Sequence, residues 1–139
     1  MTKEAVVEKM VSVVENYLAI LEDVKKIPES KLASDILMSG GLKHYLYVAV
    51  QSTIDLAEAI IATKKLRRPS TNSENFVILN ESAIIDDDLT EKLVKMCGFR
   101  NFLAHDYENV DFHKIYSFLQ EDIKDIGEFL AEVRLKLKL

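Results

Sequence analysis

Arg100, Asn101, His105 and Tyr107 fall within the single run Gly98-Phe99-Arg100-Asn101-Phe102-Leu103-Ala104-His105-Asp106-Tyr107. A guanidinium that stays charged at every physiological pH, near an imidazole that titrates close to neutrality, is a usable pair for phosphate chemistry. The guanidinium can donate two parallel hydrogen bonds to phosphate oxygens, and the imidazole can carry a proton. The plain alternative is capping, in which Arg100, Asn101 and His105-Asp106 satisfy carbonyls at the end of a helix.

The run needs a helix to hold it. Leu89, Leu93, Met96, Phe99 or Phe102, and Leu103 recur at steps of three and four, which predicts a helix over about 89–105. On that helix Asn101 and His105 share a face, whereas Arg100 and His105 diverge by roughly 140°. Two such side chains meet on one ligand at the helix end, or across a groove formed with a second copy. Gly98 inside the helix costs about 1 kcal/mol relative to alanine, which suggests a close backbone neighbour. Asp86, Asp87 and Asp88 are candidate N-caps, and Asp88 with Glu91 is spaced like a capping box. Three adjacent aspartates on a helix point in different directions, so no metal site is expected there.

Three longer patterns complete a bundle. Over 3–26 the stripe is Val6, Met10, Val13, Val14, Tyr17, Leu21 and Val24, ending at Ile27-Pro28. Ser30 caps a short helix to about Met38, and Gly40-Gly41 punctuates the chain or kinks it. From Leu42 to Leu66 the inward set is Leu42, Tyr45, Leu46, Ala49, Thr53, Leu56, Ala57, Ile60 and Ile61, with Gln51, Asp55 and Glu58 placed away from the core. Lys64, Lys65, Arg67 and Arg68 before Pro69 read as compensation of the helix dipole, or as a patch for phosphate. Ser70 to Asn75 is a loop, and Phe76 to Ser82 is a turn of helix folded over the core. The last helix, about 112–137, starts after Asp111 and carries Phe112, Ile115, Tyr116, Leu119, Ile123, Ile126, Leu130, Val133 and Leu137 inward.

Composition agrees with an all-α fold. The chain has 139 residues, a length suited to one domain over 1–139, and its 4 Gly and 2 Pro are too few for the turns of a small β protein. With 48% hydrophobic residues it belongs with folded rather than disordered chains. A net charge of −5 gives no global field toward nucleic acid, so any RNA contact relies on local basic groups. The single Cys97 excludes an intramolecular disulfide and a multi-cysteine metal site, and it reads as buried packing. No apolar run approaches the ~20 residues of a membrane span, and no signal-peptide core follows Met1, so a soluble cytoplasmic protein is expected. His44 and His113 read as surface or boundary residues; Tyr45, Tyr47 and Tyr116 as core or interface aromatics.

The run Arg100-Asn101-Phe102-Leu103-Ala104-His105-Asp106-Tyr107 resembles the Arg-x4-His-x-Tyr signature of the HepT-like toxins of the HEPN superfamily. Tyr47 to Ala57 resembles that family's second long helix. Leu79 to Ile85, then Leu93 to Asn101, is similar to its lead-in to the motif. The resemblance spans about Glu4 to about Leu137. It implies an antiparallel up-and-down bundle of four main helices with short accessory helices. It further implies a homodimer whose motif copies face a shared cleft, and a metal-independent endoribonuclease with no cofactor.

The implied setting is a type VII-like toxin–antitoxin module with a minimal MNT-type nucleotidyltransferase as antitoxin. Arg100 and His105 match the catalytic positions, Asn101 an orienting neighbour, and Tyr107 the tyrosine adenylylated to silence the toxin. The competing expectation is a non-catalytic binding module that engages a nucleotidyltransferase or a nucleotide, toward which the net acidity leans.

Overall fold

The computed structural model describes residues 2–105 and 111–139; of His105 it describes the backbone and not the side chain. Among the described residues the chain is a helical bundle without strands, as expected. Its helices are α1 (Lys3–Val24), α2 (Glu29–Ser34), α3 (Ile36–Thr63), α4 (Asn72–Glu81), α5 (Asp87–His105), α6 (Phe112–Ser117) and α7 (Ile123–Leu137), with a π-helical turn at Phe118–Asp122 between the last two.

Helix α3 is the centre. It buries Leu42, Leu46, Ala49, Val50, Thr53, Ile54, Leu56, Ala57, Ile60 and Ile61, because neighbours cover it on more than one side. α1 packs along its length, and α4 and α5 also lie on it. By length and apolarity α3 meets the criterion for a membrane span, which the sequence expectation had denied to every segment. Burial within the bundle accounts for that apolarity equally well. The Thr53 hydroxyl, fully buried, donates to the Ala49 carbonyl at 2.6 Å.

Several boundaries differ from the sequence expectation. Gly40 and Gly41 do not interrupt the chain: Asp35 ends α2 and caps α3, its Oδ1 accepting from Leu37 and Met38 N–H at 3.0 and 3.1 Å. An aspartate placed to take two orphan donors outweighs two glycines followed by a long apolar pattern. α4 starts earlier than expected because the Thr71 hydroxyl accepts from Glu74 N–H at 3.1 Å. Asp86, not Asp88, caps α5, accepting from Leu89 N–H at 2.8 Å; Asp88 instead pairs with Lys92 at 3.1 Å. Asp111 caps α6 as expected, accepting from His113 N–H at 3.1 Å.

The inward face of α1 is also shifted. Val7, Val11, Val14 and Leu21 are buried, whereas Val6 and Val13 are exposed. Both sets have helical spacing, so periodicity alone does not choose between them. Past α6 the π turn absorbs an extra residue and rotates the register. It buries Phe118 and, further on, Phe129, both absent from the expected stripe. Phe129 meets Phe76 edge to face, with ring centroids 5.6 Å apart. Gly98 is exposed, and a Cβ there would meet nothing within 4 Å among the described residues, so no close backbone neighbour within them calls for a glycine.

Candidate active site

Arg100 is fixed by α3. Its Nε donates to Gln51 Oε1 at 2.9 Å and its Nη2 to the Tyr47 hydroxyl at 3.2 Å. The guanidinium carbon also sits 5.4 Å from the centroid of the Tyr47 ring. Its Nη1 donates to Asn101 Oδ1 at 3.3 Å. The guanidinium has five N–H donors. Among the described residues three are engaged, leaving one on each terminal nitrogen, the arrangement that suits two oxygens of one phosphate.

Gln51 does not choose its orientation freely. Its Nε2 donates to Asp55 Oδ1 at 2.9 Å, one helical turn along α3. That bond turns the amide oxygen toward Arg100. The sequence expectation set Gln51 and Asp55 aside as outward residues and gave Tyr47 no role. The signal that could have found them is the spacing 47, 51, 55, which places three polar groups on one side of an otherwise apolar helix.

Helix α5 continues to His105, so the arginine and histidine positions share one helix, as the sequence implied. The His105 side chain and Tyr107 lie outside the described residues, so the geometry of those two site expectations is not on view. Cys97, one turn before the motif, is buried, and that burial raises its thiol above the ordinary range despite a hydrogen bond with Ser73 and the nearby Arg100 charge. It is packing, not a nucleophile.

The other candidates resolve simply. Of the cations after α3, Arg67 is held by Glu74 at 3.1 Å and by Glu81 at 2.7 Å, so it clamps α4 rather than presenting itself to phosphate. His44 is exposed, with its ring edge-on to Tyr45. His113 is exposed and bonds Glu29 at 2.9 Å, which raises its pKa above the usual 6.5.

The chain and its fold have counterparts among known proteins. The Ribonuclease HepT-like family matches residues 14–133. The mRNA nuclease HepT of Shewanella oneidensis is 24% identical over 105 residues, covering 76% of this chain and 79% of that protein. The tRNA nuclease HepT of Aphanizomenon flos-aquae is 23% identical over 128 residues, covering 92% and 87%. Among solved structures, the tri-AMPylated HEPN toxin of Shewanella oneidensis in complex with its MNT antitoxin superposes with a TM-score of 0.85 at 19% identity, over 97% of this chain and 99% of that one. YutE, a cytosolic protein of unknown function from Bacillus subtilis, has a TM-score of 0.84 at 16% identity, over 97% and 90%. With a bundle built around α3 and a family match over residues 14–133, the chain belongs to the HepT-like ribonuclease family.

Proposed function

We propose that this chain is an endoribonuclease toxin that cuts RNA without a metal ion, at a cleft shared by two copies. The observation that carries this is Arg100 itself, held by Gln51, Tyr47 and Asn101 with one N–H on each terminal nitrogen not engaged by any described residue. His105 takes the proton of a ribose 2′-hydroxyl, and the 2′-oxygen bonds to the adjacent phosphorus. Arg100 stabilises the charge on the phosphorane oxygens. The bond from phosphorus to the 5′-oxygen then breaks, and that oxygen takes a proton from an imidazolium. The products are a 2′,3′-cyclic phosphate and a 5′-hydroxyl. General base catalysis of this kind contributes typically 10²–10⁴-fold. The divergence of positions 100 and 105 around one helix favours a composite site, with motif copies facing each other across a two-fold axis.

The partner is a minimal nucleotidyltransferase acting as antitoxin. It joins the α-phosphorus of ATP to the Tyr107 oxygen and releases pyrophosphate. The added AMP brings bulk and negative charge two residues from His105, and RNA is excluded by occlusion and repulsion together. Names of the relatives support the reading: two are RNA nucleases, and one solved structure is an AMPylated toxin with its MNT antitoxin.

The test is RNA cleavage in excess EDTA by wild type, Arg100→Ala and His105→Ala, with end-group analysis of the products. Activity in wild type and its loss in both variants is the expected result. Equal cleavage by wild type and His105→Ala removes the histidine from the mechanism. Absence of cleavage by wild type, with binding to the nucleotidyltransferase intact, returns the chain to the binding-module reading.

A further inference from the structure

A second polar site lies on another flank of the motif helix. Phe99 is one residue, or about 100° of helical rotation, from Arg100 and looks into an open cleft of about 770 Å3 between α5, α6, the π turn and α7. That volume lies within the range of small-molecule sites. Four lysines and three carboxylates line it, in a chain whose net charge is −5.

The cleft has a built floor. Phe99 and Phe118 stack in parallel, with centroids 3.9 Å apart and planes within 5°. Phe102, half-buried, leans on Phe99 at 5.6 Å. The Lys114 ammonium rests over the Phe102 ring, 4.7 Å from its centroid, and covers that aromatic face on an exposed, flexible stem that a stacking base can displace. Lys95 is exposed on the same helix, about 10 Å along the axis from Phe102. Lys124 lines the cleft from α7 and has no ion-pair partner among the described residues.

Asp125 is the independent observation. Its side chain lines the cleft at only 8% exposure, and its Oδ1 is buried without any hydrogen-bond partner among the described residues. A buried acceptor left unpaired is costly, so its retention needs a reason. The nearby Lys92 does not supply it, being bonded to Asp88 at 3.1 Å and 4.0 Å from Glu128. An aromatic face, nearby cations and a hydrogen-bond acceptor are together the recognition set for one nucleotide of a single strand. The mixed lining disfavours a free polyanion and suits a base with its phosphodiester.

We propose that this cleft is an RNA subsite beside the cleavage centre, in which a base displaces Lys114 from the Phe102 ring and stacks there, the flanking phosphates meet Lys95, Lys114 and Lys124, and rotation of the Asp125 side chain brings its sealed Oδ1 out to accept an N–H from the base. The inference rests on the RNA-cleaving reading above and names where the substrate strand runs outside the scissile bond.

The probe is a short single-stranded RNA carrying 2′-O-methyl riboses, which cannot be cleaved, followed by fluorescence anisotropy on the full chain. Phe102→Leu and Lys114→Gln are each expected to weaken binding about five-fold or more, the scale of one lost stacking partner. Asp125→Asn is expected to reorder affinity among adenine, cytosine and uracil homopolymers. Melting curves identify any variant that fails to fold, and the exposed Lys95→Gln with Lys124→Gln then carries the test alone. Unchanged affinity in the folded variants overturns the subsite, as does reduced binding to the nucleotidyltransferase with RNA affinity intact. The two readings fail separately: cleavage by wild type with normal binding in every variant sinks the subsite alone. Cleft-dependent binding without cleavage sinks the nuclease and keeps the subsite.

Discussion

Arg100 on α5 and Gln51 on α3, forty-nine residues apart in the chain, meet through one hydrogen bond of 2.9 Å from Nε to Oε1. The bond is directional at both ends, because Asp55 holds the other side of the Gln51 amide at 2.9 Å. Asp55 therefore sets which way the amide faces, and the amide sets which edge of the guanidinium faces outward. Gln51 is a positioning residue in this arrangement.

Replacing Gln51 by alanine is expected to lower kcat for RNA cleavage about 10- to 100-fold, the cost of loosening a group proposed to meet the scissile phosphate. KM should change much less, since the charge of Arg100 remains. Gln51→Glu keeps an acceptor at the same reach and should recover part of the loss. A fall confined to KM, or no recovery in Gln51→Glu, would show that the glutamine does not orient the arginine. Asp55→Ala should give a smaller decrease by freeing the amide to flip.

What the sequence made legible divides along a physical line. Features that depend on residues close in the chain could be read: Asp111 as a cap, Pro28 as a stop, and Arg100 and His105 on one helix. Features that depend on which elements meet could not. Tyr47, Gln51 and Asp55 become meaningful only when α5 lies on α3. The face of α1 was missed for the same reason, since Val6 and Val7 each begin a helical stripe and only the neighbours choose. The π turn was invisible because one extra residue per turn leaves the apolar count unchanged.

Asp125 and Asp122 both have carboxyl pKa values raised by burial, with neighbouring acids adding to the effect. A carboxyl whose pKa is higher folded than unfolded opposes folding once it ionises. At pH well below 3.8, the ordinary value, both states are neutral and the penalty vanishes. It grows as pH rises from there and is complete once the pH has passed the raised folded value. Asp125→Asn should therefore raise Tm at pH 7 and show no such gain near pH 3. A gain that persists unchanged in acid would place its origin in packing rather than charge.

Helices α3 and α4, like α7 at Lys138, are closed by residues that bear a strained backbone. Lys65 has φ 55° and Ala83 has φ 59°, in the left-handed region that favours glycine. In each case the following N–H reaches five residues back, from Leu66 to Ile61 at 2.9 Å and from Ile84 to Leu79 at 3.0 Å. These are Schellman closures made without glycine. The left-handed conformation costs a non-glycine residue about 1–2 kcal/mol, part of which glycine returns through its freer unfolded state. Ala83→Gly should raise stability by about 0.5–1 kcal/mol in urea denaturation, with the slope unchanged. A loss of stability there would mean that the methyl group contributes more than the strain costs.

His113 Nδ1 lies 2.9 Å from Glu29 Oε1 and ties the start of α6 to α2, eighty-four residues away. The hydrogen bond and the charge of Glu29, with Asp111 and Glu121 contributing less, raise the imidazole pKa above 6.5. A histidine with a raised folded pKa adds stability below its unfolded value and loses that contribution as pH climbs through the folded one. NMR titration should find His113 titrating above 6.5, and Glu29→Gln should return it toward that value. The stability difference between wild type and Glu29→Gln should be present at pH 6 and shrink toward pH 8. It should also shrink in high salt, because the pair is exposed. A difference independent of both pH and salt would assign the contact to packing of Glu29 against α6, and the ion pair would then hold nothing in place.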